Sequence, residues 1–361
     1  MKVGILGATG AVGQKFVELL DGHPQFEIAA LAASERSAGK PYREAANWIG
    51  SREMPAALAE REVVLAAPGA LRDPSLADCD FVFSGLDAAA ADVLEKRFAE
   101  AGLPVISNAR THRMDPDVPL LIPEVNPEHT ALIDRQMTPG WIVTNPNCSV
   151  VGLVMALRPL ADAFGVEALH VVTMQALSGA GYPGVSSLDA LGNVVPFIGG
   201  EEEKLVHEPR KLLGTLDDGG VRPYEVTVSA QCTRVPVLDG HLECVSVKLG
   251  TPASPAEVAE ALSSFRSPLA EMNLPTAPAQ PVRVFEDERF PQPRRHAEAG
   301  GGMQVSVGRV RACALFDVKF VVLSHNTIRG AAGGAILNAE LLQAQGRLTS
   351  RTADSRAVAA A

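Results

Sequence analysis

The sequence predicts an α/β fold with two domains: an N-terminal Rossmann-type, doubly wound parallel sheet, and a second domain of mixed α+β structure. Three observations carry that prediction. A glycine-punctuated turn, Gly7-Ala8-Thr9-Gly10-Ala11-Val12-Gly13, joins a short apolar run to an amphipathic segment. Apolar runs and helical stretches then alternate as far as residue 107, and beyond Cys148 the runs lengthen and become β-rich. A chain of 361 residues also has room for two domains of ~100–200 residues each.

Residues 2–6 (KVGIL) form the first strand, KFVELLDG, stopped at Gly22, lies in the first helix, and FEIAALAA (26–33) completes a βαβ unit. VVLAA (63–67), FVFSGL (81–86) and VIS (105–107) follow as strands, alternating with helices such as AAADVLEKRFAEAG (89–102). This order builds a parallel sheet with helices on both faces. In TNPNCSVVGLVMAL (144–157) an Asn-Pro-Asn turn delivers Cys148 onto the first turn of an amphipathic helix. Val150, Leu153, Val154, Leu157 and Leu160 carry its helical spacing to Phe164, and Gly165 stops it. EALHVVTMQAL (167–177), YEVTVSAQCTRVPV (224–237), LECVSVKLG (242–250), MQVSVGRVRAC (303–313) and ALFDVKFVVLS (314–324) are strand-like runs separated by Gly, Asp and Pro. They suit an antiparallel or mixed sheet with one covered face. A last helix, GAAGGAILNAELLQAQG (330–346), is apolar enough to return to the first domain. The domains expected are therefore 1–147 plus 327–361, and 148–326, with the chain crossing twice between them. An Ala-rich tail follows Arg351.

Hydrophobic residues make up 47% and charged residues 20% of a chain with net charge -10 and no Lys/Arg cluster. That balance argues against nucleic acid as a partner and suits small anions met by isolated arginines. No apolar run approaches the ~20 residues of a membrane span, and glycines interrupt the N-terminus where a signal peptide would be continuous. Five cysteines, Cys79, Cys148, Cys232, Cys244 and Cys313, form no CxxC pair and leave one over in any disulfide scheme, which points to a reducing cytoplasm. Cys232, His241 and Cys244 lack metal-ligand spacing, and no metal is expected.

Cys148 is the candidate nucleophile. Only a thiolate attacks, and the positive end of a helix lowers a cysteine pKa from its free value of about 8.5. Buried cysteines are more often inert packing, so the rest of the chain has to decide. The glycines at 7, 10 and 13 are a GxxGxxG variant of the dinucleotide fingerprint, placed between strand and helix so that pyrophosphate meets free N–H groups. The cofactor loop is expected over Gly7, Thr9, Gly10, Ala11, Val12 and Gly13. After the second strand, Ser34, Arg36, Ser37 and Lys40 offer donors to a 2′-phosphate and so point to NADP, while Glu35 keeps NAD open. A thiol and a nicotinamide in one chain suggest thiohemiacetal and thioester chemistry, which also needs a proton-handling group. His241, at the end of TRVPVLDGH (233–241) with Arg234, is the candidate.

Taken together, these motifs resemble the aspartate-semialdehyde dehydrogenase family, in the form found in archaea, fungi and some bacteria. The resemblance spans nearly the whole chain: GATGAVGQ (7–14), SNARTHRMDPDVPLLIPEVNPEH (107–129), TNPNCS (144–149), TMQALSGAGYPGVSSLD (173–189), IGGEEEKLVHE (198–208), RVPVLDGH (234–241), GGMQVSVGRVR (301–311) and NTIRGAAGGAILNAELL (326–342). It implies Cys148 as nucleophile, His241 as acid/base and Gln175 as the residue orienting the thiohemiacetal. It implies Arg234 for the substrate α-carboxylate, Glu201 (or its neighbour Glu202) for the amine, and Arg113, Asn147 and Lys204 for phosphate. Ser34, Ser37, Ser178, Gly179 and Asn326 join the glycine loop as cofactor contacts. The implied activity is NADPH-dependent reduction of L-aspartyl 4-phosphate to L-aspartate 4-semialdehyde through a Cys148 thioester, feeding lysine, methionine and threonine synthesis. The second domain becomes a catalytic and dimerisation domain, and the assembly a homodimer or homotetramer. Malonyl- or succinyl-CoA reductase is the rival, and Glu201 argues against it because such acyl groups carry no amine. N-acetyl-glutamyl-phosphate reductase fits GAGYPG and GGEEEK poorly, a Cys/His hydrolase needs no nicotinamide, and a non-catalytic regulator would show no turnover. His112 beside Arg113, and His325 where an aspartate is expected, depart from the family pattern.

Overall fold

The computed structural model describes residues 1–351, and the Ala-rich tail lies outside them. Contacts group the chain into two units, one of Met1–Leu121, His129–Asn145 and Ala335 onward, the other of Ile122–Glu128 and Pro146–Gly334.

The first unit holds a six-stranded parallel sheet of β1 (Lys2–Leu6), β2 (Glu27–Ala33), β3 (Val64–Leu65), β4 (Phe81–Ser84), β5 (Val105–Ser107) and β6 (Ile142–Thr144), in the order β3-β2-β1-β4-β5-β6. The reversal of order at β1 is the doubly wound pattern, whose ligand site lies at the carboxyl ends of the strands. Both faces of the central strands are buried, and Phe16 from the Ala11–Leu20 helix stacks on Phe83 of β4 with centroids 4.6 Å apart. Asp87 caps the Ala88–Glu100 helix by accepting from Ala89 N–H and Ala90 N–H. VVLAA contributes only Val64–Leu65 to the sheet, because Val63 N–H is diverted to Lys40 O. β6 was not expected, although it is no shorter than β5. The Gly333–Ala344 helix joins this unit from Ala335, where Asn338 Nδ2 donates to Asn145 Oδ1 and His23 meets Glu340 at 3.0 Å.

The second unit adds β7 (Val166–Gln175), a β8–β9 hairpin (Thr215–Asp217 and Gly220–Arg222), β10 (Thr227–Arg234), β11 (His241–Leu249), β12 (Val282–Phe285), β13 (Val305–Ala312) and β14 (Val318–Ser324). Its main sheet runs β10-β7-β11-β14-β13-β12 and is mixed, with β10/β7 and β12/β13 parallel and the other pairs antiparallel. Alternation along β11 buries His241, Glu243, Val245, Val247 and Leu249 on one face. The Cys148–Phe164 helix ends at Gly165, whose φ of 71° suits glycine. It is not amphipathic as expected. It is buried all round from Ser149 to Leu157, because the sheet covers one side while the Glu201–Leu212 and Pro255–Ser264 helices and a π-type turn at Ile328–Ala332 cover the others. β12 escaped the sequence. No helix among the described residues is long and apolar enough to cross a membrane.

The chain passes between the units four times rather than twice. The extra excursion, Ile122–Glu128, is fixed by a buried bidentate ion pair: Arg329 Nη1 and Nη2 lie 2.6 and 2.7 Å from the Glu124 carboxylate oxygens. Glu124→Ala strands the guanidinium in the interior, and such a loss typically costs about 3–5 kcal/mol. Urea unfolding should show a midpoint lowered accordingly, and an unchanged midpoint would dismiss the pair as a tether.

Candidate active site

In the first unit, β1 runs into Gly7, whose φ is 75°, and the turn closes as Gly7 and Ala8 N–H both donate to Ala32 O. The three glycines serve different needs. A Cβ on Gly13 would lie 2.2 Å from Gly7 O, so Gly13 is required for the helix to approach the turn. A Cβ on Gly7 would meet Gly85 O at 2.7 Å. At Gly10 the nearest atom would be 3.4 Å away, and its backbone is extended, so no steric demand of the protein explains it. Gly10 N-caps the Ala11–Leu20 helix without a side-chain cap, leaving the helix start, with Thr9, Ala11 and Val12 around it, suited to a phosphate. Ser34 follows the carboxyl end of β2, and Ser37 and Ala38 N–H both donate to Ser34 O. Ser34 and Arg36 are exposed while Ser37 is buried. Arg113 also belongs to this unit: it is buried and donates from Nη2 to Asn108 O. Beside it His112 is held by Asp115 at 2.8 Å and lies 4.0 Å from the buried Glu95.

In the second unit, Asn147 caps the Cys148–Phe164 helix. Its Oδ1 accepts from Ser149 and Val150 N–H, its own N–H donates to Glu208 at 2.7 Å, and its Nδ2 donates to both oxygens of Glu201 at 3.1 and 3.0 Å. Cys148 Sγ, at the first helical position, is 3.2 Å from His241 Nε2. His241 is wholly buried at the start of β11, and its Nδ1 accepts from Ala176 N–H at 3.1 Å. Burial, then Arg234 and His325, lower its pKa from 6.5 to about 3. Arg234 ends β10 in register with Gln175, the end of β7, and donates to Ala176 O at 2.7 Å. Burial lowers the Arg234 pKa, with Cys148 and Glu201 opposing. Gln175 Nε2 donates to Glu201 at 3.2 Å, and Lys204 forms an ion pair with the same carboxylate. Burial works against the Glu201 charge, yet Lys204, Asn147 and Gln175 outweigh it and hold the pKa below its usual value. Of the two candidate glutamates, Glu201 thus joins the cluster, whereas the exposed Glu202 accepts from Cys232 N–H.

Ser178 and Gly179 lie in the turn after β7. A Cβ on Gly179 would fall 2.8 Å from Arg234 Nη1 and 3.0 Å from His241 Cε1. Asn326 braces the same region, donating to Ser178 Oγ and accepting from Gly240 N–H. His325 accepts from Thr327 and Ile328 N–H and meets Glu298 at 3.2 Å.

Residues 2–133 match the family model "Semialdehyde dehydrogenase, NAD binding domain", and residues 157–329 match "Semialdehyde dehydrogenase, dimerisation domain". Aspartate-semialdehyde dehydrogenase of Methanothermobacter thermautotrophicus is 51% identical, over 95% of this chain and 99% of its own. The Schizosaccharomyces pombe enzyme of that name is 49% identical over 96% and 98%. The chain belongs to the aspartate-semialdehyde dehydrogenase family. A crystal structure of aspartate-semialdehyde dehydrogenase with NADP from Candida albicans superposes with a TM-score of 0.88 at 45% identity, covering 96% of this chain and 99% of that one. The Vibrio cholerae aspartate-semialdehyde dehydrogenase II complexed with ASA gives 0.74 at 29% identity, covering 95% and 98%.

Within the aspartate-semialdehyde dehydrogenase site of this chain, three groups escaped the sequence. Glu208 was legible in principle, since Glu201, Lys204 and Glu208 recur at i, i+3 and i+7 on one helix face. Gly330 packs on Cys148, where a Cβ would come 2.8 Å from its Cα. The Ala176 N–H carries no sequence signal at all.

Two outcomes follow from this geometry. Gly10→Ala should leave thermal stability unchanged and weaken NADPH binding by fluorescence titration, while Gly13→Ala should destabilise the fold; equal stability losses would refute the division of labour. Because His241 is held neutral when folded, the unfolded chain gains a proton below about 6.5 that the native site refuses until about 3. Stability relative to His241→Gln should therefore be flat above that window and fall progressively as the pH is lowered through it, as read from urea midpoints.

Proposed function

We propose that the protein catalyses reversible, NADPH-dependent reduction of L-aspartyl 4-phosphate to L-aspartate 4-semialdehyde with release of phosphate. The observation that carries this reading is the cluster around Cys148 Sγ: His241 Nε2 at 3.2 Å, with Arg234, Gln175 and Glu201 joined by hydrogen bonds around the same helix start. The Candida albicans relative's NADP supports the cofactor, and the uncapped start at Gly10 and the donors Ser34, Arg36 and Ser37 fit its phosphates. Bound there, the nicotinamide supplies or takes the hydride. Ser178, Gly179 and Asn326 are further candidate contacts for it.

Cys148 attacks the acyl carbon, displaces phosphate and carries the acyl group as a thioester. The helix start and Arg234 surround the sulfur with positive charge, which favours the thiolate. His241 offers its Nε2 to sulfur and to the oxygen of the tetrahedral adduct. Arg234 presents a planar fork to the α-carboxylate, and Glu201 meets the ammonium by exchanging a partner from its internal network. Lys204 and Arg113 provide charge for phosphate. Asn147 is a weaker phosphate ligand, since its Oδ1 and Nδ2 are already engaged. The cofactor part is assigned to the unit of Met1–Leu121, His129–Asn145 and Ala335 onward, and the catalytic and dimerisation part to the unit of Ile122–Glu128 and Pro146–Gly334, assembled as a homodimer or homotetramer. The setting is lysine, methionine and threonine synthesis, in a cytoplasm reducing enough to keep the thiol free.

Oxidation of aspartate semialdehyde should depend on both NADP and phosphate, and Cys148→Ala should abolish it. Turnover that survives loss of the thiol, or that uses coenzyme A in place of phosphate as the acyl acceptor, would overturn the reading. Arg234→Lys keeps the charge and loses the fork, so KM for the semialdehyde should rise about 10- to 100-fold, the worth of one charge-assisted hydrogen bond.

A further inference from the structure

Tyr42 has no exposed surface, and its hydroxyl donates to Ala8 O at 2.8 Å. That carbonyl shares a peptide unit with Thr9 N–H, and in a trans peptide the two groups point in opposite directions. Fixing Ala8 O inward toward the phenol therefore turns Thr9 N–H outward. Of the four N–H groups in the 7–10 turn, those of Gly7 and Ala8 donate to Ala32 O and that of Gly10 donates to Gly7 O. Thr9 N–H is the one left without a protein partner among the described residues, at a half-buried position beside the exposed Gly10.

The next peptide is held in the same manner. Gln14 is buried in the helix that follows the turn; its Nε2 donates to Thr9 O and to Asn47 O, both at 2.9 Å, and its Oε1 accepts from Ile49 N–H at 2.8 Å. Trp48 packs edge-on against the Tyr42 ring with centroids 6.3 Å apart. Segment 42–49 thus grips the inward carbonyls of the glycine turn at two successive peptides. The segment is itself anchored, since Tyr42 N–H donates to Arg61 O and Val63 N–H to Lys40 O. Burial pushes the phenol pKa up from its ordinary value, so the hydroxyl keeps the proton that it donates.

We propose that Tyr42 is a positioning residue for the dinucleotide: its hydroxyl sets the Ala8–Thr9 peptide so that Thr9 N–H meets the pyrophosphate, and Gln14 secures the adjoining peptide. The role rests on the NADP reading given above. It also joins two parts of the cofactor site. The stretch that begins with the 2′-phosphate donors Ser34, Arg36 and Ser37 goes on to Tyr42 and Asn47, which brace the turn for the pyrophosphate. A tyrosine that merely filled space would make the hydroxyl a matter of stability alone, with no preference among ligands.

Tyr42→Phe removes the hydroxyl and keeps the ring. Binding is read without substrate, by NADPH fluorescence and by displacement of NADPH with 2′-AMP, which carries the 2′-phosphate and no 5′-phosphate. The Kd for NADPH should rise about 2- to 10-fold, the worth of one hydrogen bond, while 2′-AMP binds as it does to the wild type. In turnover KM for NADP should rise by the same factor, with kcat at saturating NADP and KM for the semialdehyde unmoved. Gln14→Met, of similar length and without the amide donor, is the second variant and should show the same selectivity; thermal melting checks that each is folded. Equal losses for NADPH and 2′-AMP, or an NADPH affinity unchanged in both variants, would overturn the proposal. Because binding needs no semialdehyde, the selective loss in a protein that oxidises none would fault the reaction and leave the positioning role standing.

Discussion

The capped N-terminus of the Cys148–Phe164 helix is the constraint from which the thiol site is built. Four orphan N–H groups at a buried helix start need partners, and Asn147 supplies two while turning its own N–H to Glu208 and its Nδ2 to Glu201. One residue therefore fixes the sulfur and the carboxylate that belongs beside it. Glu201 in turn binds Gln175 and Lys204, so the end of β7 and the first turn of the Glu201–Leu212 helix are drawn to the same point.

The mixed sheet completes the arrangement through register. Arg234 lies opposite Gln175 and His241 opposite Ser324, all at strand ends, so that side chains far apart in sequence share one edge of the buried face. The turn after β7 is narrow because Arg234 and His241 occupy the space that a Gly179 side chain would need. Behind the sulfur, Gly330 admits the π-type turn, and the Arg329–Glu124 pair holds that turn in place. Buried charge pairs are poor sources of net stability; here the pair joins Ile122–Glu128 to the segment that backs Cys148.

Local signals explain what could be read in advance. The glycine turn between β1 and its helix, the long runs of β7, β10, β11 and β14, and Gly165 as helix stop are all written in short stretches with a clear period or breaker. β6 and β12 were missed. The burial of the Cys148 helix on every side depends on partners up to about two hundred residues away, as does the Ile122–Glu128 excursion. Cys148 and His241 were legible from position, Gln175, Glu201 and the role of Arg234 through motif resemblance, and the geometry adds Glu201 rather than Glu202 in the cluster, Asn147 as a cap, and the Ala176 N–H as a donor to His241 Nδ1.

The central claim is that Cys148 carries the acyl group. Intact-mass spectrometry of the protein mixed with aspartate semialdehyde and NADP in the absence of phosphate tests it most directly. One acyl adduct per chain, mapped to Cys148, accompanied by a stoichiometric burst of NADPH and discharged on adding phosphate, is the predicted result. A burst without an adduct, or an adduct on any other residue, would contradict the account.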